Sequence, residues 1–144
     1  MSVVLDASVI TKLLVEEPGS AAVRELVATT PTLIAPELVL AEVGNALWRR
    51  VRLGGMQADA AAELFRAVPA IVTVLHALAP LSPRALAISL ARNHPIYDCY
   101  YIALALREAV PLATADRRLA KLAAAEGVSV LPIPEDHPSG PSSA

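Results

Sequence analysis

The chain alternates short apolar runs with longer stretches of helical spacing. Ser2-Val3-Val4-Leu5 is β-branched and apolar and stops at Asp6, which predicts a first strand. Ser8 has the chemistry of a helix cap, so a helix is expected from about Val9 to Val15, broken by Pro18-Gly19-Ser20. Residues 21–28 place Ala22, Val23, Leu26 and Val27 on one helical side. Thr32-Leu33-Ile34-Ala35 predicts a second strand. Pro36 suits the first position of a helix and Glu37 its first turn, and Gly54-Gly55 stops that helix after about Leu53.

A further helix is expected over about Gln57–Val68, and Ile71-Val72-Thr73-Val74 forms a third strand candidate. Ser82-Pro83 opens a helix that ends near Asn93-His94-Pro95, and Tyr97-Asp98 opens the next, to about Ala109. Val110-Pro111-Leu112-Ala113 and Val128-Ser129-Val130-Leu131 complete five strand candidates, separated by a helix from Asp116 to Glu126. Strands apolar on both faces, alternating with helices, predict an α/β fold with three layers, α/β/α, around a central parallel sheet of about five strands. Residues 1–131 read as one domain. Residues 132–144 hold four of the twelve prolines and three serines and are expected to form a loose tail.

Composition narrows the classes. The 144 residues are 55% hydrophobic and 18% charged, enough for a real core, and the net charge of -2 excludes a polycationic nucleic-acid coat. A single cysteine, Cys99, excludes an intrachain disulfide framework or a Cys-rich zinc site. Aromatics at 3% argue against a base-stacking platform. No targeting signal or membrane span is legible, so a cytoplasmic protein in a reducing compartment is expected.

Parallel sheets bind ligands at the carboxyl ends of their strands, near a switch in strand order. Four carboxylates fall there: Asp6 after the first strand, Glu42 in the second turn of the helix after the second, Asp98 opening the helix before the fourth, and Asp116 just past the fourth. Asp6, Glu42 and Asp98 are isolated among apolar neighbours with no Lys or Arg close in sequence. A buried carboxylate is costly unless paired or bound to a metal, and clustered carboxylates repel. A divalent cation that prefers hard oxygen resolves both difficulties. Capping is the competing account for Asp98 and Asp116, and for Asp6 at the helix near Ser8, although Ser8 already fills that role. It does not extend to Glu42, which lies too far inside its helix; for Glu42 the competing account is partial exposure on a helix edge. Ser8, Asn45 and Thr114 are placed to support the acids, with capping, a solvated surface and strand termination as their ordinary alternatives. Arg49, Arg50 and Arg52 form the densest basic cluster, a solvated face or a set of phosphate contacts. His76, His94 and His137 have no metal-ligand spacing, and Tyr100, Tyr101 and Trp48 read as core or interface.

Val3-Val4-Leu5-Asp6-Ala7-Ser8, the segment from Ala41-Glu42-Val43-Gly44-Asn45 to Arg50, the segment from Tyr97-Asp98-Cys99 to Ala105, and Thr114-Ala115-Asp116-Arg117-Arg118-Leu119 together resemble the motifs of PIN domains. Their order and spacing fit from Val3 to Leu131, and the compact form is similar to the VapC-type toxins of type II toxin–antitoxin pairs. Cys99 departs from the smaller residue usual at its place. The resemblance implies a metal-dependent endoribonuclease. Asp6, Glu42 and Asp98 match the acidic triad, Asp116 the fourth acid, Thr114 the hydroxyl residue before it and Asn45 the amide after the Glu. It further implies one or two Mg²⁺ or Mn²⁺ ions, a VapB-type antitoxin, an RNA substrate with transfer RNA foremost, and a homodimer. The competing classes are a non-catalytic interaction module on the same scaffold, a haloacid-dehalogenase-like phosphatase, and a receiver domain. The phosphatase needs a second Asp where Ser8 stands; the receiver needs paired N-terminal acids that are absent.

Overall fold

A computed structural model of the chain describes residues 1–134. Five parallel strands form one sheet: β1 (Ser2–Leu5), β2 (Thr32–Pro36), β3 (Val74–His76), β4 (Leu112–Thr114) and β5 (Val130–Pro132). Their order is β3-β2-β1-β4-β5, with Val4 opposite both Ile34 and Leu112. β1 is therefore central, and the direction of strand addition reverses between β1 and β4.

The helices are α1 (Ala7–Leu14), α2 (Ser20–Thr29), α3 (Leu38–Arg52), α4 (Ala58–Arg66), the single turn α5 (Val68–Ile71), α6 (Ser82–Arg92), α7 (Ile96–Glu108) and α8 (Arg117–Ala125). Right-handed crossovers place α1 to α5 on one face and α6 to α8 on the other. The packing agrees: α1 contacts α2 and α3, α3 contacts α4, and α6 lies along α7. This is the three-layer α/β/α arrangement that the pattern predicts. α7 is the most enclosed helix, with Cys99 and every residue from Tyr101 to Ala105 buried. Such a helix is apolar on all sides because the sheet takes one face and α6 another.

The details depart from expectation at four places. Asp6, not Ser8, caps α1: its side chain accepts from the Val9 N–H at 3.1 Å, so the helix starts two residues earlier, at Ala7. Pro36 ends β2 instead of opening α3, opposite His76 of β3; at a strand end its missing N–H costs the ladder nothing further. Ile71 belongs to α5, so β3 starts only at Val74, with Thr73 bonded to Leu33 through both its backbone N–H and its hydroxyl. The last strand reaches Pro132, and the Ile133 N–H donates to Thr114 O at 3.3 Å, so residues 132–134 pack on the domain. The remainder of the expected tail, residues 135–144, lies outside the described residues. No helix among them is long and apolar enough to cross a membrane.

Candidate active site

The reversal of strand order opens a gap at the carboxyl ends of β1 and β4, and the two ends are stitched together across it. Asp6 is 4% exposed. Its Oδ1 accepts from Ser8 Oγ at 2.6 Å and from the Val9 N–H, and its Oδ2 accepts from Thr114 Oγ1 at 2.5 Å. Ser8 Oγ in turn accepts from the Ala115 N–H, and Thr114 Oγ1 from the Asp116 N–H. Ser8 and Thr114 thus both hydrogen-bond Asp6 and bind β1 to β4 at the same time. Burial drives the Asp6 carboxyl up to about 6; the three hydrogen bonds pull it down, and the neighbouring Asp116 charge adds to the rise.

Asp116 caps α8, its Oδ1 accepting from the N–H groups of Arg118 and Leu119 at 2.8 and 3.3 Å. Capping and proximity to Asp6 are compatible, because a cap residue stands where β4 gives way to α8. Asp98 does not cap; it lies in the first turn of α7, and its Oδ2 meets His94 Nε2 at 2.8 Å. Glu42 is half-buried on α3, and Tyr101 donates its hydroxyl to Glu42 Oε1 at 2.6 Å. Burial raises the Glu42 carboxyl above its ordinary value, the Tyr101 bond opposes this, and the charges of Asp98 and Asp116 add to it. The Tyr101 hydroxyl is itself held well above its usual range by burial and by Glu42, which keeps it a proton donor.

A groove of about 840 Å³ runs beside these groups, and Ser8, Glu42, Asn45 and Asp98 line it together with Arg49 and Arg50. Asp6 and Asp116 lie outside that lining, Asp6 beneath the surface. The three arginines divide. Arg49 faces the groove exposed, Arg50 is ion-paired with Glu17, which also pairs with Lys12, and Arg52 stacks 5.0 Å from the Trp48 ring centre, away from the groove. Cys99 is buried, and burial lifts its thiol to about 11, consistent with a packing residue.

Sequence reasoning passed over three partners. His94 stands four residues before Asp98, so its pairing was legible from spacing alone. Tyr101 meets Glu42 across 59 residues and Glu17 meets Arg50 across 33, separations that leave no local signal.

The donor set suits a hard divalent cation. Among the described residues no three His, Cys, Asp or Glu side chains converge into a ready-made metal cage. Yet Glu42, Asp98 and Asp116 each have one carboxylate oxygen anchored by the protein and, among the described residues, nothing donating to the other. Mg²⁺ keeps several waters and uses only one or two carboxylates directly, so carboxylates with open oxygens can serve it without a closed cage.

The PIN domain family matches residues 3–125. A curated relative, Ribonuclease VapC3 of Pyrobaculum aerophilum, is 32% identical over 123 residues, covering 84% of this chain and 94% of its own length. A crystal structure from Pyrobaculum aerophilum superposes with a TM-score of 0.70 at 25% identity, covering 90% of this chain and 83% of that one. VapBC2 from Rickettsia felis, solved bound to a DNA fragment from its promoter, superposes with a TM-score of 0.66 at 12% identity, over 92% of this chain and 98% of that one.

Proposed function

The chain belongs to the PIN-domain family, and from that premise we propose that it is a VapC-type toxin, an endoribonuclease that hydrolyses RNA with the help of Mg²⁺ or Mn²⁺. In this reading residues 1–131 are the nuclease domain. The observation that carries the proposal is that the four acids lie within electrostatic reach of one another, Asp116 acting on Asp6 and both Asp98 and Asp116 on Glu42, each oriented by a different protein donor and three of them keeping an oxygen open. Capping gives Asp6 and Asp116 a structural role but gives none to Glu42 or Asp98, and the charges of Asp98 and Asp116 work against ionisation of Glu42, a repulsion that a purely structural arrangement has no reason to keep.

The four carboxylates would hold one or two ions. A bound ion would supply an activated water and positive charge opposite the scissile phosphate. The protein's own part is positional. Ser8, Val9 and Thr114 fix Asp6 at the floor, and His94 aims Asp98. Asn45 lines the groove one helical turn from Glu42, placed to donate to a phosphate or sugar oxygen. Arg49 offers the groove its exposed cation for the RNA backbone. No side chain needs to attack phosphorus.

The name of the Pyrobaculum relative supports the ribonuclease activity, and the VapBC complex among the structural neighbours supports a VapB-type antitoxin as partner. An antitoxin Arg or Lys placed near the carboxylates would meet the same uncompensated charge. Transfer RNA as substrate and a second copy of the chain as partner complete the proposal. The test is to map RNA ends after induced expression. Hydrolysis by activated water leaves a 5′-phosphate and a 3′-hydroxyl; a 2′,3′-cyclic phosphate signals attack by the ribose and refutes the mechanism.

A further inference from the structure

Tyr101 heads the fully buried side chains by volume and is 1% exposed. A ring at this place in α7 needs no hydroxyl to fill its space; Phe would pack the same volume. The hydroxyl nevertheless leaves the core in the direction of α3 and donates to Glu42 Oε1 at 2.6 Å, a short, charge-assisted bond. Asp98 lies three residues earlier on α7, on the same side of the helix. Glu42 is half-buried at the groove wall, and a Glu side chain turns about three torsions. Without a fixed partner its carboxylate would sample several positions along the groove. The Tyr101 bond occupies one oxygen, and among the described residues nothing donates to the other.

We propose that Tyr101 is a positioning residue for the reaction: it holds the Glu42 carboxylate at a set distance from Asp98. α7 then fixes two acids at once, Asp98 by carrying it and Glu42 through the phenol. α3, which carries Glu42, is tied to α7 by a rigid aromatic strut from inside the core. The proposal rests on the nuclease reading for what the two acids do.

The experiment uses the full chain with Tyr101→Phe, Glu42→Ala and the double variant. It measures Mn²⁺ affinity by calorimetry, cleavage of a reporter RNA, and the position of Glu42 in a metal-free crystal structure of Tyr101→Phe. Loss of a partner that orients a metal-binding group typically costs about 10–100-fold in metal affinity or activity. Tyr101→Phe is therefore expected to lower Mn²⁺ affinity and kcat/KM by at least about tenfold, with Glu42 displaced and the fold retained. In the Glu42→Ala background the same substitution is expected to change Mn²⁺ affinity by less than about twofold, because the residue it acts through is gone. Full losses that multiply in the double variant assign Tyr101 a role independent of Glu42 and overturn the proposal. So does an undisplaced Glu42 with wild-type Mn²⁺ affinity, or a Tyr101→Phe chain that fails to fold. Wild-type cleavage and Mn²⁺ binding by Glu42→Ala overturn the nuclease site reading itself, a different result from an impaired Glu42→Ala beside an unimpaired Tyr101→Phe.

Discussion

Asp6→Asn tests the electrostatics of the site through stability, independently of any substrate. The Asp6 carboxyl is 4% exposed and pushed from an ordinary value near 3.8 to about 6, chiefly by burial. A raised acid favours the protonated form in the folded state. Its contribution to stability is fully present below the unfolded pKa and is lost as pH rises through the folded one. Two units and a little more correspond to about 3 kcal/mol, withdrawn between roughly pH 4 and pH 7. Asn has no charge to bury, so the variant should show none of this loss. Its altered hydrogen bonds to Ser8, Val9 and Thr114 add an offset that is the same at every pH and cancels in the comparison.

The assay is urea unfolding of both proteins from pH 4 to pH 8 in a chelator. Between those limits the wild type should lose about 2.5 kcal/mol relative to Asp6→Asn, the first part having gone already by pH 4, which is roughly 8 °C in Tm for a chain of this size. Adding Mg²⁺ at pH 8 should then restore the wild type, by about 2.7 kcal/mol if the ion stands at a hundred times its Kd, and should restore the variant far less. Parallel pH profiles for the two proteins would refute the reasoning, since they would mean that Asp6 ionises as freely in the fold as in the unfolded chain. A Mg²⁺ response equal in both would remove Asp6 from the ion's ligands.

Two further outcomes follow from the geometry. Gly19 has φ of +93°, and a Cβ there would meet Ile133 Cγ2 at 3.1 Å, Pro134 O at 3.2 Å and Lys12 Cδ at 3.3 Å. Gly19→Ala should therefore cost about 1–3 kcal/mol, from left-handed backbone strain plus loosening of residues 133–134 from α1, read as a lower urea midpoint. Arg49 faces the groove while Arg52 is stacked on Trp48. Arg49→Ala should weaken RNA binding and reduce the slope of log affinity against log salt by about 0.7, the single-strand value for one phosphate contact. Arg52→Ala should leave that slope unchanged, and equal slopes for both variants would remove Arg49 from the contact surface.

The parallel α/β plan was legible because β1, β2 and β4 are buried on both faces, so their apolar runs stand out from the helical spacing around them. β3 was placed too early for a physical reason. Ile71-Val72-Thr73-Val74 is as apolar as a strand, but Pro69 fits the first turn of α5, which takes Ile71 into its single helical turn. Composition at that length cannot separate the two states. Asp6 and Ser8 are both good cap residues two positions apart, and local chemistry ranks them nearly equal. The choice is made by β4, 108 residues away, whose Thr114 hydroxyl holds the Asp6 side chain at the strand end, where it caps α1.

That same hydrogen bond shows why the acids were visible while their arrangement was not. A charged residue alone in an apolar run is conspicuous in one dimension, and Asp6, Glu42 and Asp98 were found that way. What orients each acid comes from elsewhere in the chain or from a residue with an ordinary reading of its own. Asp6 takes Thr114 from β4, and Glu42 takes Tyr101 from α7, a residue that composition marks only as core. Even His94, within reach by spacing, reads as a helix-end residue until α6 and α7 are seen to turn at Asn93, whose left-handed φ of 50° directs the chain into α7. The isolated acids thus predict that chemistry is present, and the topology decides which neutral residues tune it. Substitutions at Thr114, Tyr101 and His94 should therefore separate from substitutions at the acids themselves: graded losses in the first group, abolished cleavage with Asp6→Ala or Asp98→Ala in the second. A folded Asp98→Ala chain that cleaves RNA at the wild-type rate would break that division at its root.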